Sequence, residues 1–167
     1  VPEIALTPQL LGRMTAHFGK TVAVLHSSLR VGERYDEWRR IARGEARVVV
    51  GTRSAVFAPL QSPGLLILDE EQEHTYKSEN APRYHAREIA LYRGAKAGAL
   101  VLFGSATPSI ETMYLAKTGV YTLYTLKTRY NGRALPAARL IDMKQELRAG
   151  NDLDLSRELE EGVRDAI

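Results

Sequence analysis

Four consecutive apolar residues that end at once in carboxylates, Leu65-Leu66-Ile67-Leu68-Asp69-Glu70-Glu71-Gln72, constrain this chain more than any other feature. A run without polar alternation reads as a strand buried on both faces, the kind built into a parallel sheet. Ligands of such sheets gather just beyond the carboxyl ends of the strands. Carboxylates placed there can hold Mg²⁺ against a nucleotide and orient a water. An acidic loop after an ordinary core strand fits the same residues, so the run alone leaves both readings open.

The rest of the chain supplies the sheet around that strand. Thr7-Pro8 is a helix start, a hydroxyl at the cap with proline in the first turn. Leu10, Leu11, Met14 and Phe18 form its apolar face, and Gly19 its stop. Strands are expected at 22–25, 47–50, 65–69 and 99–103, and helices at about 33–43, 85–97 and, capped by Thr107 with Pro108 first, through Lys117. Strands alternating with helices in this way argue for a parallel α/β sheet. Two short strands are expected at 120–126 and 139–143, and an amphipathic helix carries Leu155, Leu159 and Val163.

Five segments then reach one sheet edge: Val1–Thr7, His26-Ser27-Ser28, Gly51-Thr52-Arg53-Ser54, Asp69–Gln72 and Gly104-Ser105-Ala106-Thr107. Gly-Thr-Arg-Ser suits sugar-phosphate oxygens, or caps a helix beside an exposed Arg. Ser-Ala-Thr-Pro doubles as a helix cap. The loop with His74-Thr75-Tyr76-Lys77 and Arg83-Tyr84-His85 interleaves basic and aromatic groups, which suits a single nucleic-acid strand. Tyr84 can equally anchor the following helix, with His85 as its cap.

Composition narrows the class. At 167 residues, 44% hydrophobic and 26% charged, the chain is of globular type and of single-domain length. Zero cysteines exclude disulfides and a cysteine-ligated zinc within it, and a reducing cytoplasm is expected. The four histidines lack zinc-ligand spacing, and no Gly-x-Ser-x-Gly elbow occurs. A net charge of +3 permits nucleic acid without requiring it. The apolar opening Val1-Pro2-Glu3-Ile4 and the helical stripe running toward Ile167 lead us to expect a piece of a longer protein.

The motifs occur in a telling order: Val1-Pro2-Glu3-Ile4 with Thr7-Pro8-Gln9, Gly51-Thr52-Arg53-Ser54-Ala55-Val56-Phe57, Asp69-Glu70-Glu71, Tyr76-Lys77, Arg83-Tyr84-His85-Ala86-Arg87, and Gly104-Ser105-Ala106-Thr107-Pro108. Across about residues 1–145 the set resembles the PriA family of primosomal replication-restart helicases (primosomal protein N′), a branch of the superfamily 2 DNA helicases. The resemblance implies a RecA-like P-loop NTPase domain that lacks its first strand and phosphate loop. Residues 1–126 would form the truncated first motor domain, 127–152 a connector, and 153–167 a helix leading toward the second.

It further implies ATP-driven 3′–5′ unwinding at stalled forks and primosome assembly. Asp69 would hold Mg²⁺ with ATP, Glu70 would orient the attacking water, and Gln72, Ser105 and Thr107 would couple nucleotide to DNA. Pro2, Glu3, Thr7, Gln9, Thr52, Arg53, Ser54, Tyr76, Lys77, Arg83, Tyr84 and His85 would contact DNA. Zinc, single-stranded DNA-binding protein and loading proteins are implied for the family, outside this chain.

The family's acidic motif commonly ends in His where this chain has Gln72, which hydrogen-bonds but carries no charge. No Gly-x-x-x-x-Gly-Lys-[Ser/Thr] loop occurs in the sequence, so the isolated chain is expected to be inactive. It is also expected to be poorly stable, because a missing interior strand would orphan backbone groups. The rival reading is a non-catalytic single-stranded DNA-binding module using Arg53, Lys77, Arg83, Lys127, Arg129 and Arg133.

Overall fold

The computed structural model describes residues 1–2, 6–128, 132 and 137–166. It forms two compact units, Val1–Leu123 and Tyr124–Ile167. The first contains α1 (Pro8–Phe18), β1 (Val22–Leu25), α2 (Val31–Ala42), β2 (Val48–Gly51), β3 (Leu65–Asp69), α3 (Ala86–Ala97), β4 (Leu100–Gly104) and α4 (Ile110–Lys117). The second contains α5 (Met143–Arg148) and α6 (Arg157–Ala166).

Among the described residues the four strands pair in parallel, but they form two two-stranded sheets rather than one. β1 pairs with β2, aligning Leu25 with Gly51, and β3 pairs with β4, aligning Asp69 with Gly104. Each pair therefore ends flush at its carboxyl edge. The outer edge of β1 is closed by a side chain: Glu37 Oε2 accepts from Val24 N–H at 3.0 Å. Each pair has its own core. Ala23, Leu25, Ile41, Ala46 and Ala58 fill the first, and Leu68, Tyr76, Ala86 and Ala90 the second. Arg93 of α3 joins them, donating to the carbonyls of Val56 and Leu60.

The acidic-motif strand is buried on one face only. Leu66 and Val101 pack against the α3 side, while Leu65, Ile67, Leu100 and Leu102 remain 45–67% exposed on the other. A single helical layer covers only one side of a parallel pair, and α3 is that layer. Its approach is close: a Cβ at Gly94 would collide with the Val101 side chain.

Local signals placed the helix ends well, with two exceptions, and misplaced two short strands. Thr7 Oγ1 accepts from Leu10 N–H at 3.2 Å, with Pro8 first in α1, as expected. Helix α2 instead begins two residues early, because Glu33 Oε2 receives the Arg30 N–H at 2.8 Å and closes the first turn. Helix α4 is capped by Ser109, not Thr107; the Ser109 hydroxyl accepts from Thr112 N–H. The strands expected at 120–126 and 139–143 are absent. The first segment is irregular, and the second enters α5, whose cap is Asp142. Alternation over so few residues had no partner strand to fix it.

In the second unit Glu146 ties α5 to α6. Its Oε2 accepts from Arg157 N–H at 3.0 Å, Arg157 Nε at 3.3 Å and Asn151 Nδ2 at 2.9 Å. These donors hold its carboxyl down to about 2, the Arg157 backbone N–H contributing most.

Candidate nucleotide and nucleic-acid site

Asp69 ends β3, and its carboxylate faces the backbone of Gly104 across the register pair. A Cβ at residue 104 would stand 3.2 Å from Asp69 Oδ1, so glycine leaves that oxygen room. Glu70 follows with φ at +49°, a left-handed conformation that a non-glycine residue adopts at a cost of about 1–3 kcal/mol. Three contacts fix the turn. Tyr76 Oη donates to the Asp69 carbonyl at 2.7 Å, Glu71 N–H donates to the Gly104 carbonyl at 3.1 Å, and Glu73 N–H donates to the Glu70 carbonyl at 2.9 Å.

A short relay runs from there to the β4 loop. Gln72 Nε2 donates to Glu70 Oε2 at 2.9 Å, Ser105 Oγ donates to Gln72 Oε1 at 2.5 Å, and Thr107 N–H donates to Ser105 Oγ at 2.9 Å. Gln72 thus spans the two strand tips with both ends of its amide used. The Thr107 side chain is exposed beside this relay.

Sequence reasoning assigned no role to Glu71, yet it is the most tightly held group of the motif, 2% exposed. Its Oε1 accepts from Ser109 N–H at 2.6 Å. Its Oε2 accepts from Ser109 Oγ, from Thr112 Oγ1 at 3.0 Å and from Arg87 at 3.4 Å. The available signal was the Arg87 that follows Tyr84-His85-Ala86, a cation at a helix start where no solvent-exposed role was evident.

The remaining candidate residues divide by exposure. Thr52, Arg53, Ser54, His74, Thr75 and Lys77 line one concave pocket of about 420 Å³. A second, of about 220 Å³, is lined by Leu6, Leu11, His26 and Ser28, and the two share Ser27 and Thr52. Together they form a groove along the carboxyl ends of β1 and β2. Arg53 donates to the Lys77 carbonyl at 2.5 Å and the Thr75 carbonyl at 3.2 Å, and lies 5.8 Å from the Tyr84 ring centroid. Tyr84 meets Phe57 edge-on at 4.8 Å, an anchoring contact. Thr7, Gln9 and Arg83 are exposed.

Three residues expected at the DNA surface are buried: Thr52, 8% exposed at the floor of the groove, Tyr76 and Pro2. Tyr76 is 3% exposed, its ring packed in the α3 core, so it offers no face to a base. Burial, with Asp69, Glu70 and Glu73 nearby, pushes its hydroxyl well above the usual phenol range. Pro2 is fully buried. His85 is half-buried and acts as the cap of α3, Nδ1 accepting from Arg87 N–H at 3.2 Å; burial and then Arg87 lower its pKa. Glu3, Arg129 and Arg133 lie outside the described residues.

Among the described residues no three acidic or histidine side chains cluster into a metal cage. One carboxylate with room beside it fits a Mg²⁺ whose other ligands are phosphate and water. No helix among the described residues is long and apolar enough to cross a membrane.

Comparison with known proteins shows the family. The family model described as DEAD/DEAH box helicase matches residues 1–115, which hold the acidic turn, the relay and the groove. The chain belongs to the DEAD/DEAH box helicase family. Within that helicase family it is similar to the replication restart protein PriA of Bacillus subtilis, 51% identical over 167 residues, all of this chain and 21% of that protein. The PriA of Treponema pallidum is 47% identical over 146 residues, 87% of this chain and 22% of that protein. The PriA of Synechocystis is 44% identical over 165 residues, 96% and 20% respectively. The chain thus spans about a fifth of the length of the curated relatives it matches.

Proposed function

We propose that this chain is the water-activating, DNA-facing part of an ATP-dependent 3′–5′ DNA helicase that acts in the restart of stalled replication forks. The observation that carries it is the relay Glu70–Gln72–Ser105 between the tips of two parallel strands, with Asp69 at its root. The names of the relatives, replication restart proteins, support the biological setting. Forked and single-stranded DNA would be the nucleic-acid partners. Single-stranded DNA-binding protein and primosome loading proteins would be the protein partners of the whole enzyme, and zinc would be held outside this chain.

In this reading Asp69 would hold Mg²⁺, which would supply charge neutralisation for the phosphates of ATP. Glu70 accepts a hydrogen bond from the attacking water and orients it, its carboxylate aimed by Gln72 Nε2. Ser105 reports on that carboxylate through Gln72. Thr52, Arg53, Ser54 and Lys77 take phosphates of one strand along the groove, and the exposed Thr7, Gln9 and Arg83 are further contacts in this reading. The isolated chain, which has no phosphate-cradling glycine-lysine loop in its sequence, should not hydrolyse ATP.

The test is Glu70→Gln in the full-length protein carrying this chain. ATP turnover should be abolished while single-strand binding persists. Turnover at the parent's rate would refute the role given to Glu70.

A further inference from the structure

Helix α2 opens where β1 ends, beside the groove. Ser28 lines the groove, and Val31 is the first residue of the helix. Arg34 ties the two together, donating to the carbonyls of Ser27 at 3.3 Å and His26 at 3.5 Å. The helix turns Glu37 and Ile41 inward: Glu37 reaches Val24 N–H, and Ile41 is buried in the first core. Its apolar stripe runs elsewhere. Val31, Tyr35, Trp38 and Ala42 follow the i, i+4, i+7, i+11 spacing of a single helix face. Yet Val31 is 87% exposed, Tyr35 60% and Trp38 40%. An apolar stripe normally faces the core, and one left beside it marks a contact surface.

The charges around the stripe have one sign. Arg34 stands one turn from both Val31 and Trp38. Arg39 stands one turn from Tyr35, its guanidinium 5.5 Å from that ring's centroid. No acid lies three or four residues from Tyr35 or Trp38. Two acids of the helix are engaged elsewhere: Glu33 accepts from Arg30 N–H at 2.8 Å, and Glu37 is held by Val24 N–H and Arg40. Tyr92 of α3 and Tyr114 of α4 are as exposed, but each has an acid within one turn, Glu88 and Glu111. Rings and cations without acids among them match a strand of negative phosphates whose bases offer flat faces. The loop between β3 and α3 does not supply such rings. Tyr76 is buried, and Tyr84 is packed against Phe57.

We propose that Tyr35 and Trp38 form a base-stacking platform for single-stranded DNA where it leaves the groove, with Arg39 pairing a phosphate beside them. The inference deepens the proposed reading of the groove as a DNA path and rests on it. A strand whose phosphates follow Arg53 and Thr52 passes Ser28 and lays its next bases on the two rings. Every base has a stacking face, so the platform takes any sequence.

The experiment uses the full-length protein that carries this chain and two strands of equal length, oligothymidylate and its abasic counterpart. Tyr35→Ala and Trp38→Ala should each weaken oligothymidylate binding by about five- to 150-fold, the worth of one stacked base. The log–log salt slope should stay unchanged in both, because a ring carries no charge. The abasic strand should bind each variant as it binds the parent. Tyr35→Phe keeps the ring and should bind oligothymidylate like the parent, whereas Arg39→Gln should lower the slope by about 0.7. Should Trp38→Ala fail to fold, Tyr35→Ala, at the more exposed position, carries the same expectation. Equal losses on the two strands overturn the platform, since damage to the groove would produce them. Unchanged affinity in Tyr35→Ala overturns it as well and leaves the stripe to an acidic protein partner. The parent separates the two proposals. If it binds neither strand, the DNA path fails with the platform; if it binds and the ring variants match it, the platform alone fails.

Discussion

Ser105 Oγ donates to Gln72 Oε1 at 2.5 Å, and the same amide donates onward to Glu70. The tips of β3 and β4 are therefore joined by a neutral group that must both accept and donate. Gln72→Glu tests that requirement. The new carboxylate would face Glu70 and lose the donor, and like charges at that distance raise the pKa of the pair. ATP turnover should fall about tenfold at neutral pH, the effect of one misplaced hydrogen bond to a charged group. It should partly recover toward lower pH. A flat pH–rate profile at the parent's level would remove Gln72 from the relay.

Glu70 holds a left-handed backbone conformation, φ +49°, next to the strand end. Strain of this kind at a functional position trades stability for a fixed side-chain direction. Glu70→Gly relieves it and loses the carboxylate, while freeing the unfolded chain by an opposing amount of about 0.5–1 kcal/mol. The variant should melt at the parent's temperature or above, yet lose ATP turnover. A melting point lower by several degrees would mean that contacts of the Glu70 side chain outweigh its strain.

Much of this arrangement was legible in the residues themselves. The four strand positions, the Thr7-Pro8 helix start and the placement of Asp69, Ser105 and Arg53 at strand ends follow from apolar runs broken by polar turns, and all are local signals. Burial was not legible. Tyr76 has the composition of a stacking ring, but it sits within reach of the Asp69 carbonyl and fills the space under α3. Glu71 reads as one more surface acid until Arg87, Ser109 and Thr112, distant in sequence, close around it. Serine at 109, not Thr107, caps α4, and the backbone N–H of that cap is bonded to Glu71, a partner far away in sequence. The division into two sheets is equally non-local, since nothing in β2 or β3 names its neighbour.

Arg53 donates to two carbonyls of the loop it faces, so it shapes the groove as well as lining it. If it also takes a phosphate, Arg53→Ala in the full-length protein should reduce the log–log salt slope of single-strand binding by about 0.7. If it only shapes the loop, affinity should drop with the slope unchanged. Titrations at several salt concentrations distinguish these, and an unchanged slope would remove Arg53 from the phosphate path.

Glu146 provides a pH prediction for the second unit. Its carboxyl is held at about 2 against an ordinary 4.5, chiefly by the Arg157 backbone N–H. A depressed acid means that the unfolded chain binds the proton more readily. The stabilisation is therefore complete above about 4.5 and is lost as pH falls through the folded value near 2. Glu146→Gln keeps an acceptor for the Arg157 N–H but cannot titrate, so it should be less stable than the parent at neutral pH and approach it at acid pH. The α5 and α6 signals, followed by backbone NMR between pH 7 and pH 2, report the two curves. Parallel curves across that window would place the acid sensitivity of this unit elsewhere.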